Sequence, residues 1–225
     1  MKKKIIDNLK TIFYALIIAL IIRSFFYQPF FIPSSSMEPS LLVGDRLFVS
    51  KYTYGYSQHS FPFSPKLFSK RILSKLPTRG DIIVFKTPQD NRTDYIKRLI
   101  GLPGDTIQFI DSDLYLNNQK IIKKKLTNIS NIYCGKELLD VQAYKETLPN
   151  GKSYTAVYRK KGSMVNSDKF LIPKEHYFFL GDNRDCSKDS RFLSSVGYVS
   201  HENLVGKAQI IFFSNNKNKG SLIKF

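Results

Sequence analysis

The sequence predicts a mainly β fold preceded by a single N-terminal transmembrane helix. An apolar segment, residues 11–22, follows three lysines at positions 2 to 4. After Pro33 the chain contains short segments rich in Ile, Val, Phe and Tyr, bounded by Gly, Pro, Asp and Asn, which are typical of β-strands. No long amphipathic helix is predicted after the apolar segment.

The N-terminal segment fits either a cleaved signal peptide or a permanent anchor, because both combine a basic start with an apolar run. The apolar run is shorter than the roughly 20 residues that a spanning helix needs. However, the longer apolar segment 12–27 is nearly long enough to cross a bilayer as a helix. The side chain of Arg23, near the end of this segment, can extend to the membrane interface. Large aromatic residues occupy positions 25–27, where a cleavage site would have small ones. We therefore expect an anchor, with the lysines inside and the rest of the chain outside.

The rest of the chain divides into strands, a loop and an insertion. Strands are predicted at residues 45–56, 81–85, 94–101, 106–110 and 208–213. In segment 114–122 two asparagines lie between apolar flanks, which predicts a hairpin. Residues 57–78, rich in Ser, Pro and Lys, predict an extended loop or ribbon tip. Residues 111–172 are more polar and predict an inserted smaller subdomain. The predicted divisions are 1–27 (cytoplasmic start and anchor), 28–110 (first part of the core, with a ribbon near 53–78), 111–172 (insertion) and 173–225 (second part of the core).

The charge balance indicates an anionic partner without identifying it. The chain has 35 Lys+Arg against 18 Asp+Glu, a net charge of +17. Such an excess favours nucleic acid or an anionic membrane surface as the binding partner, unless it is only a solvated basic face.

Cys134 and Cys186 have no zinc-binding spacing, so no metal site is predicted. Two cysteines do not make a disulfide framework. A bridge between them, which an oxidising compartment permits, is therefore the less favoured state.

Two polar features have both chemical and plain structural interpretations. The serines at 34–36 form a turn-prone cluster soon after the apolar segment, and such clusters are usually loops. In segment 94–101, strand periodicity places Tyr95, Lys97 and Leu99 on one face. Lys97 then lies in apolar surroundings, or it is an edge-strand lysine that extends to water.

A third polar feature is the segment 181–192, "GDNRDCSKDSRF", in which charged residues surround Ser187. It is either part of a functional site or a surface turn closed by ion pairs. If it is buried, such a loop needs a fixed shape because unpaired buried charges are costly.

Together with the anchor, these features resemble bacterial signal peptidase I, a Ser–Lys dyad peptidase family. The matching segments occur in the family's order: "IPSSSMEPSL" (32–41), "RGDIIVF" (79–85), "YIKRLIGLPGD" (95–105), "GDNRDCSKDSR" (181–191) and "NLVGKA" (203–208). Regions 57–78 and 111–172 have no specific match. The resemblance implies an antiparallel β-sheet catalytic domain and a membrane-bound serine endopeptidase. Such an enzyme removes signal peptides from exported preproteins and needs no cofactor.

The resemblance also implies a role for each matching residue. Ser36 is the nucleophile and Lys97 is the general base. Ser187 orients the lysine through a hydrogen bond, and Ser34 helps the Ser36 backbone N–H form the oxyanion hole. The residues expected to support the site are Asp182, Arg184, Asp189 and Arg191, with Phe85 and Tyr95 as apolar cover over Lys97. The substrate, with small side chains at its −1 and −3 positions, is expected to add as a strand beside Phe31, Ile32, Pro33, Asp94 and Ile96.

The chain departs from the family pattern at two places. Cys186 occupies the position where the family often has Asn. The sequence after Arg191 lacks the short aromatic-glycine-proline segment of the family. Neither departure touches the dyad. A Ser–His–Asp site is disfavoured, because none of the histidines (His59, His176, His201) lies in a matching segment.

The dyad chemistry sets a requirement on the fold. A free lysine, with a pKa near 10.4, is protonated at neutral pH and cannot accept a proton. Burial against apolar groups disfavours the ammonium and lowers the pKa. An apolar strand face around Lys97 is therefore necessary for the chemistry.

The resemblance implies a location at the bacterial inner (plasma) membrane, with a cytoplasmic N-terminus and the catalytic domain on the outer (periplasmic) side. About a dozen residues separate Arg23 from Ser36, so the nucleophile lies close to the outer membrane face.

The expected partners are preproteins and anionic phospholipid rather than nucleic acid. Phe61, Phe63 and Phe68 are expected either in the membrane interface or packed within the ribbon. The alternatives are a self-cleaving repressor of related chemistry and a basic, anchored binding protein without catalysis.

Overall fold

The computed structural model describes residues 2–65, 70–214 and 223–224, and it confirms the mainly β fold with one N-terminal helix. Helix α1, Lys2–Ile21, continues into a π-helical turn, Ile22–Phe26. Together, Lys3–Phe26 form a helical segment of 24 residues with a mean hydropathy of 2.0. At 1.5 Å per residue it is long enough to cross a hydrocarbon layer of about 30 Å. The span is longer than residues 11–22 because the helix extends through the flanking polar and aromatic residues.

The remaining described residues form strands joined by short loops. The strands are β1 (Tyr27–Phe31), β2 (Arg46–Ser50), β3 (Ile82–Lys86), β4 (Asp94–Gly101), β5 (Thr106–Ile110), β6 (Asp113–Leu116), β7 (Gln119–Lys120), β8 (Ile122–Leu126), β9 (Asn131–Cys134), β10 (Glu137–Thr147), β11 (Ser153–Arg159), β12 (Phe170–Leu171), β13 (His176–Leu180), β14 (Val199–Ser200), β15 (Leu204–Phe213) and β16 (Ile223–Lys224). The segment predicted at 45–56 is a strand only over β2. The segment predicted at 208–213 begins earlier, at Leu204.

The largest sheet is antiparallel and holds both halves of the chain together. Its strand order is β1-β2-β15-β3-β4-β13-β14, and β16 also pairs with β15. Strand β15, from near the end of the chain, thus lies between β2 and β3. Strand β3 is buried on both faces: Ile82 and Val84 pack in one apolar cluster, and Ile83 and Phe85 in another. Its continuous apolar sequence follows from this position, since a strand covered on both sides has no polar face.

Two smaller sheets contain most of the predicted insertion. One has the order β11-β10-β8 with β9 on β10, and the other has the order β12-β5-β6-β7. The hairpin predicted at the two asparagines is confirmed. Asn117 and Asn118 have φ of 52° and 63° and connect β6 to β7, as a primed turn requires. Tyr154 of β11 and Phe178 of β13 belong to one buried cluster, so the smaller sheets pack on the large one. The exact limits 111 and 172 stay a prediction.

In the region 57–78 the structure describes residues 57–65 and 70–78, and a β-bridge between Tyr56 and Ile72 connects the two parts. Phe61 is half-buried, and its ring centre lies 5.4 Å from that of Phe25. Phe63 is fully exposed. Phe68 lies outside the described residues. The aromatic residues of this loop thus divide into one that packs on the end of the helix and one that faces outward.

The cysteines form a disulfide between Cys134 and Cys186, whose Cα atoms are 5.7 Å apart. The expectation that a bridge is the less favoured state was therefore wrong. The fold supplies the reason: the β9–β10 hairpin of the insertion lies against the loop after β13, and a separation of 52 residues gives no sign of that contact. The bridge is consistent with a catalytic domain outside the cytoplasm.

We predict that this bridge stabilises the domain. Closing a loop of 52 residues contributes about 2–4 kcal/mol to the free energy of unfolding. For a chain of this size that corresponds to about 5–15 °C in melting temperature. Dithiothreitol should lower the melting temperature of the wild type in detergent by this amount. The Cys134→Ala/Cys186→Ala variant should melt near the reduced wild type and show no response. Equal melting of oxidised and reduced wild type would contradict the prediction.

Candidate active site

Ser36 lies in a 3₁₀ turn, Ser35–Met37, shortly after strand β1. The turn is fixed from below by Met37, which is fully buried in the apolar cluster on one face of the large sheet. It is fixed from the side by Asn183, whose backbone N–H donates to Ser36 O (3.1 Å) and whose Nδ2 donates to Ser35 O (3.2 Å). The Ser36 side chain therefore has a defined direction, although it sits in a connecting segment.

Lys97 lies on β4, four strands away from β1 in the sheet. Its Nζ lies 2.7 Å from Ser36 Oγ and donates a second hydrogen bond to Ile96 O (3.0 Å). The segment after β1 brings the serine to this strand, since Ile32 and Met37 pack in one apolar cluster with residues of β3 and with Ile96. This juxtaposition of a hydroxyl and an amine is the central feature of the site.

The surroundings of Lys97 disfavour a positive charge. Lys97 is 4% exposed, and Ile83 of β3 lies directly across from it in the sheet. The Tyr95 ring centre is 5.2 Å from Nζ, and Phe85 lies directly across from Tyr95. Burial lowers the pKa of Lys97 to about 8, although the carboxylates of Asp189 and Asp182 act in the opposite direction. Phe85 and Tyr95 thus occupy the positions expected of apolar cover.

Ser34 and Ser187 occupy different environments beside the dyad. Ser34 is exposed, and its Oγ lies 3.4 Å from Ser36 Oγ. Ser187 Oγ is buried and makes no hydrogen bond of ordinary geometry in the described part of the chain. The expected bond from Ser187 to Lys97 is not formed: the amine bonds Ser36 Oγ and Ile96 O.

Gly181 is necessary for the close packing of this region. A Cβ at position 181 would lie 2.2 Å from Ser187 Oγ and 2.5 Å from Ser36 O, which is too close for any side chain. Only glycine lets the backbone after β13 approach the serine turn. The motif glycine therefore sets the distance between the two loops.

Four charged residues of the loop after β13 are buried and paired, namely Asp182, Arg184, Asp189 and Arg191. Asp182 accepts two hydrogen bonds from Arg98, at 2.8 and 2.6 Å. Asp189 accepts from Arg191 at 2.8 and 2.9 Å and from Gly181 N at 3.0 Å. Burial favours the neutral acid at Asp189, but Arg191 and these hydrogen bonds hold its pKa below the usual range. The loop is thus an internal ion-pair network rather than a surface turn.

Arg184 binds residues that the sequence analysis did not select. Its guanidinium donates to Glu146 at 2.7 Å, to Tyr158 at 2.7 Å and to Tyr154 at 2.9 Å, and all four side chains are buried. Arg98 was also missed, although it is next to Lys97. Strand alternation places Arg98 on the face opposite to Lys97 and could have indicated a separate role. No sequence feature indicates a role for Glu146, because it lies among the polar residues of the insertion.

The residues expected to bind a substrate strand border an open gap. Strand β13 pairs with β4 only from Arg98 onward, so the part of β4 that contains Asp94 and Ile96 has no strand on that side in the described residues. Strand β1 is at the edge of the same sheet. Its last residue, Phe31, is exposed, and of the next two residues Ile32 is buried and Pro33 is exposed. Both strand edges are therefore unpaired on one side in the described part of the chain.

The histidines take no part in this arrangement. His59 bonds Ser64, His176 bonds Lys174 O, and His201 bonds Ser74 and Tyr177. Within residues 2–65, 70–214 and 223–224, no group of three or more His, Cys, Asp or Glu side chains is arranged to hold a metal ion. The arrangement instead brings together the Ser36 hydroxyl and the Lys97 amine. An amine that loses its proton can take one from a nearby hydroxyl, which makes the hydroxyl nucleophilic.

Comparisons with known proteins agree on one family. A family profile described as signal peptidase, peptidase S26, matches residues 5–213. Signal peptidase I of Rickettsia bellii (strain OSU 85-389) is 44% identical over 214 residues, covering 91% of this chain and 72% of that protein. Signal peptidase I of Rickettsia conorii (strain ATCC VR-613 / Malish 7) is 44% identical over 213 residues, covering 89% and 77%. The crystal structure of a signal peptidase I from Enterococcus faecalis V583 is 29% identical, with a TM-score of 0.34, and covers 59% of this chain and 97% of that one.

We predict that Lys97 titrates near pH 8 rather than near the ordinary lysine pKa of 10.5. Because the shift favours the neutral amine, about one-tenth of the molecules carry a neutral Lys97 at pH 7, and this fraction rises as the pH passes 8. The measurement is a ¹³C NMR titration of the full chain in detergent, labelled at lysine Cε. The Lys97→Met variant assigns the signal by its loss. A midpoint above about pH 10 would contradict the apolar environment described here.

Proposed function

Because this chain belongs to the signal peptidase family, peptidase S26, we propose that it is a membrane-bound serine endopeptidase that cleaves N-terminal signal peptides from exported preproteins with a Ser36–Lys97 dyad. Its relatives are named Signal peptidase I, so the chain is an enzyme of the peptide-bond hydrolase class. The observation that supports the dyad most directly is the 2.7 Å separation of Lys97 Nζ and Ser36 Oγ in a buried setting.

The proposed reaction proceeds in two halves. Neutral Lys97 accepts the Ser36 proton while Oγ attacks the scissile carbonyl carbon. The developing oxyanion accepts hydrogen bonds from the Ser36 N–H and the Ser34 hydroxyl. The Lys97 ammonium then gives its proton to the leaving amine, which departs as the mature protein. Lys97 next takes a proton from water, which attacks the acyl ester. The ammonium returns its proton to Ser36 and releases the signal peptide.

Substrate binding is proposed to occur by strand addition. The signal peptide enters the gap between the segment 31–33 and the free edge at Asp94 and Ile96, where backbone groups give sequence-independent hydrogen bonds. The resemblance to the family implies small residues at positions −1 and −3 of the substrate. Ser187 is proposed to orient Lys97 during the reaction. Its buried hydroxyl makes no hydrogen bond of ordinary geometry among the described residues, so it can form that contact when the amine moves toward it.

The buried ion pairs are proposed to keep the dyad in position. Breaking one partner of a buried pair leaves an uncompensated charge, which costs about 3–5 kcal/mol. Arg184 and Glu146 link the loop after β13 to the insertion, and Asp182 and Arg98 link it to β4. Of the four supporting residues predicted from the motif, Asp182 and Arg184 have partners on other elements, whereas Asp189 and Arg191 pair with each other within the loop.

The anchor is proposed to place the site at the outer face of the plasma membrane. The apolar helix ends at Phe26, and Ser36 follows within about ten residues. The lysines at the start of the helix favour a cytoplasmic N-terminus. A cleavage site that emerges from the bilayer then lies at the height of the nucleophile, which raises the effective concentration of the two partners.

We predict that Ser36→Ala and Lys97→Ala each reduce cleavage by about 10⁴-fold or more, since removal of either partner eliminates the nucleophilic pathway. The assay is cleavage of a purified preprotein by the full chain in detergent. Circular dichroism should show that each variant remains folded. His176→Ala is the matched control and should keep its activity. Wild-type-like turnover by either dyad variant would refute the mechanism.

We predict that the catalytic domain is accessible from outside the cell membrane. Protease added to intact spheroplasts should digest the domain, because the positive charges at the N-terminus retain that end inside. A cytoplasmic marker protein should stay intact in the same sample. Protection of the domain until the spheroplasts are lysed would show the opposite orientation.

A further inference from the structure

A cavity of about 360 Å³ opens beside the end of the apolar helix. Its size falls within the range of small-ligand sites, roughly 300–1,000 Å³. Arg23, from the helix end, lies on one side of it, and Lys86, Arg92 and Asp94, from the β3–β4 hairpin, lie on another. The rest of the described wall is formed by residues 59–64 and by Gln28, Phe30, Asn91 and Val205. None of the proposed dyad and oxyanion residues lines this cavity, which we call the basic cavity.

The charges in the wall of the basic cavity do not balance. Among the described lining residues Asp94 is the only acidic one, and it pairs with Lys86 at 2.9 Å. Lys86 also holds the hairpin closed through a 2.6 Å hydrogen bond to Arg92 O. The guanidinium groups of Arg23 and Arg92 have no ion pair or hydrogen bond with any of the described residues. Two positive charges at the cavity therefore have no counterion within the described part of the chain.

The excess of positive charge also affects the pKa values of two titratable groups in and behind the wall of the basic cavity, His59 and Lys51. Lys51 is 1% exposed, and its Nζ donates to the carbonyl groups of His59 and Ser60, both of which line the cavity. Burial lowers the pKa of Lys51 to about 8. Asp94 raises it, while Arg23, Lys86 and Arg71 lower it. Burial also lowers the pKa of His59 to about 4, and Lys86 and Arg71 add to this effect. An anion in the cavity would offset the mutual repulsion of these groups.

We propose that the basic cavity binds the phosphate group of an anionic membrane lipid. Arginine side chains bind phosphate oxygens with paired hydrogen bonds, and Arg23 and Arg92 are unoccupied for that purpose. The proposal rests on the membrane location given above, but it is independent of the dyad chemistry.

The position of the cavity favours a lipid over a soluble anion. Arg23 is three residues before Phe26, where the apolar helical segment ends. Phe25, Phe26 and Tyr27 are exposed around this point, as expected for side chains at the level of lipid headgroups. Phe63, in the cavity wall, is fully exposed as well. A phosphate held here would be joined to acyl chains that run beside the helix.

Occupation of the cavity would connect lipid binding to the substrate gap. Asp94 lies at the start of β4 and belongs both to the cavity wall and to the free edge proposed to bind the signal peptide. A headgroup between Arg23 and Arg92 would fix the β3–β4 hairpin relative to the helix end. The height of the substrate edge above the hydrocarbon layer would then be defined.

The test measures lipid binding to the full chain, not cleavage. The protein is purified in a neutral detergent, and its melting temperature is followed while dihexanoyl phosphatidylglycerol is added. A ligand of the folded state raises the melting temperature in proportion to its saturation. Dihexanoyl phosphatidylcholine and inorganic phosphate are the comparison ligands. We expect a saturable rise with phosphatidylglycerol and a much weaker response to the other two.

The Arg23→Gln/Arg92→Gln variant removes the two unpaired charges. Each charge-assisted contact accounts for about a tenfold change in affinity, so half-saturation should move by about 100-fold. The matched control is Lys124→Gln/Lys125→Gln, which removes two exposed charges on β8 that do not line the cavity. The control should keep the wild-type response. Both variants alter exposed side chains, and their melting temperatures without lipid should equal that of the wild type.

Each other outcome would overturn the proposal in a defined way. The absence of a saturable response in the wild type would exclude the site. An equal loss in both variants would show that only the net charge matters. Saturation by inorganic phosphate at the same concentration would identify a soluble anion as the ligand. Ser36→Ala should bind lipid as the wild type does, so failure of the dyad assignment and failure of this site give different results.

Discussion

Lowering the pKa of one amine beside a serine hydroxyl is the constraint on which the rest of this structure depends. Lys97 Nζ lies 2.7 Å from Ser36 Oγ, and burial lowers its pKa to about 8. Moving a lysine pKa from 10.5 to about 8 requires roughly 3 kcal/mol of differential stabilisation. The apolar residues of β3 and β4 supply it by excluding water from the amine. The segment after β1 places the Ser36 hydroxyl beside this amine.

This constraint explains why the charged loop after β13 must be so completely paired. The carboxylates of Asp182 and Asp189 act on Lys97 and favour its charged form. Each carboxylate is bound by an arginine, Arg98 or Arg191, which reduces its net field at the amine. The same pairing makes the loop rigid, because a buried ion pair is stable only in good geometry. Support for the proposed site and control of its pKa therefore come from the same contacts.

The helix end is a second point where local chemistry and position combine. The chain passes from an apolar helix to β1 and then to Ser36 within about a dozen residues after Arg23. The basic cavity lies beside the same helix end and shares Asp94 with the proposed substrate edge. A membrane-facing contact and a substrate contact can thus be linked through one short hairpin. The excess of positive charge has a specific location here, in addition to a general attraction to anionic surfaces.

The sequence alone determined the local elements and the candidate chemistry. The N-terminal helix, the strands β3 to β5 and the hairpin at Asn117 follow from periodicity and turn residues, and Ser36 and Lys97 follow from motif resemblance. Only the tertiary structure decided the pairs Arg98–Asp182, Arg184–Glu146 and Cys134–Cys186, and the contact of Lys97 with Ile96 O instead of Ser187. The physical reason is the distance along the chain over which each effect acts. Periodicity and turn propensity act over a few residues, whereas these partners meet because the large sheet and the insertion bring distant segments together.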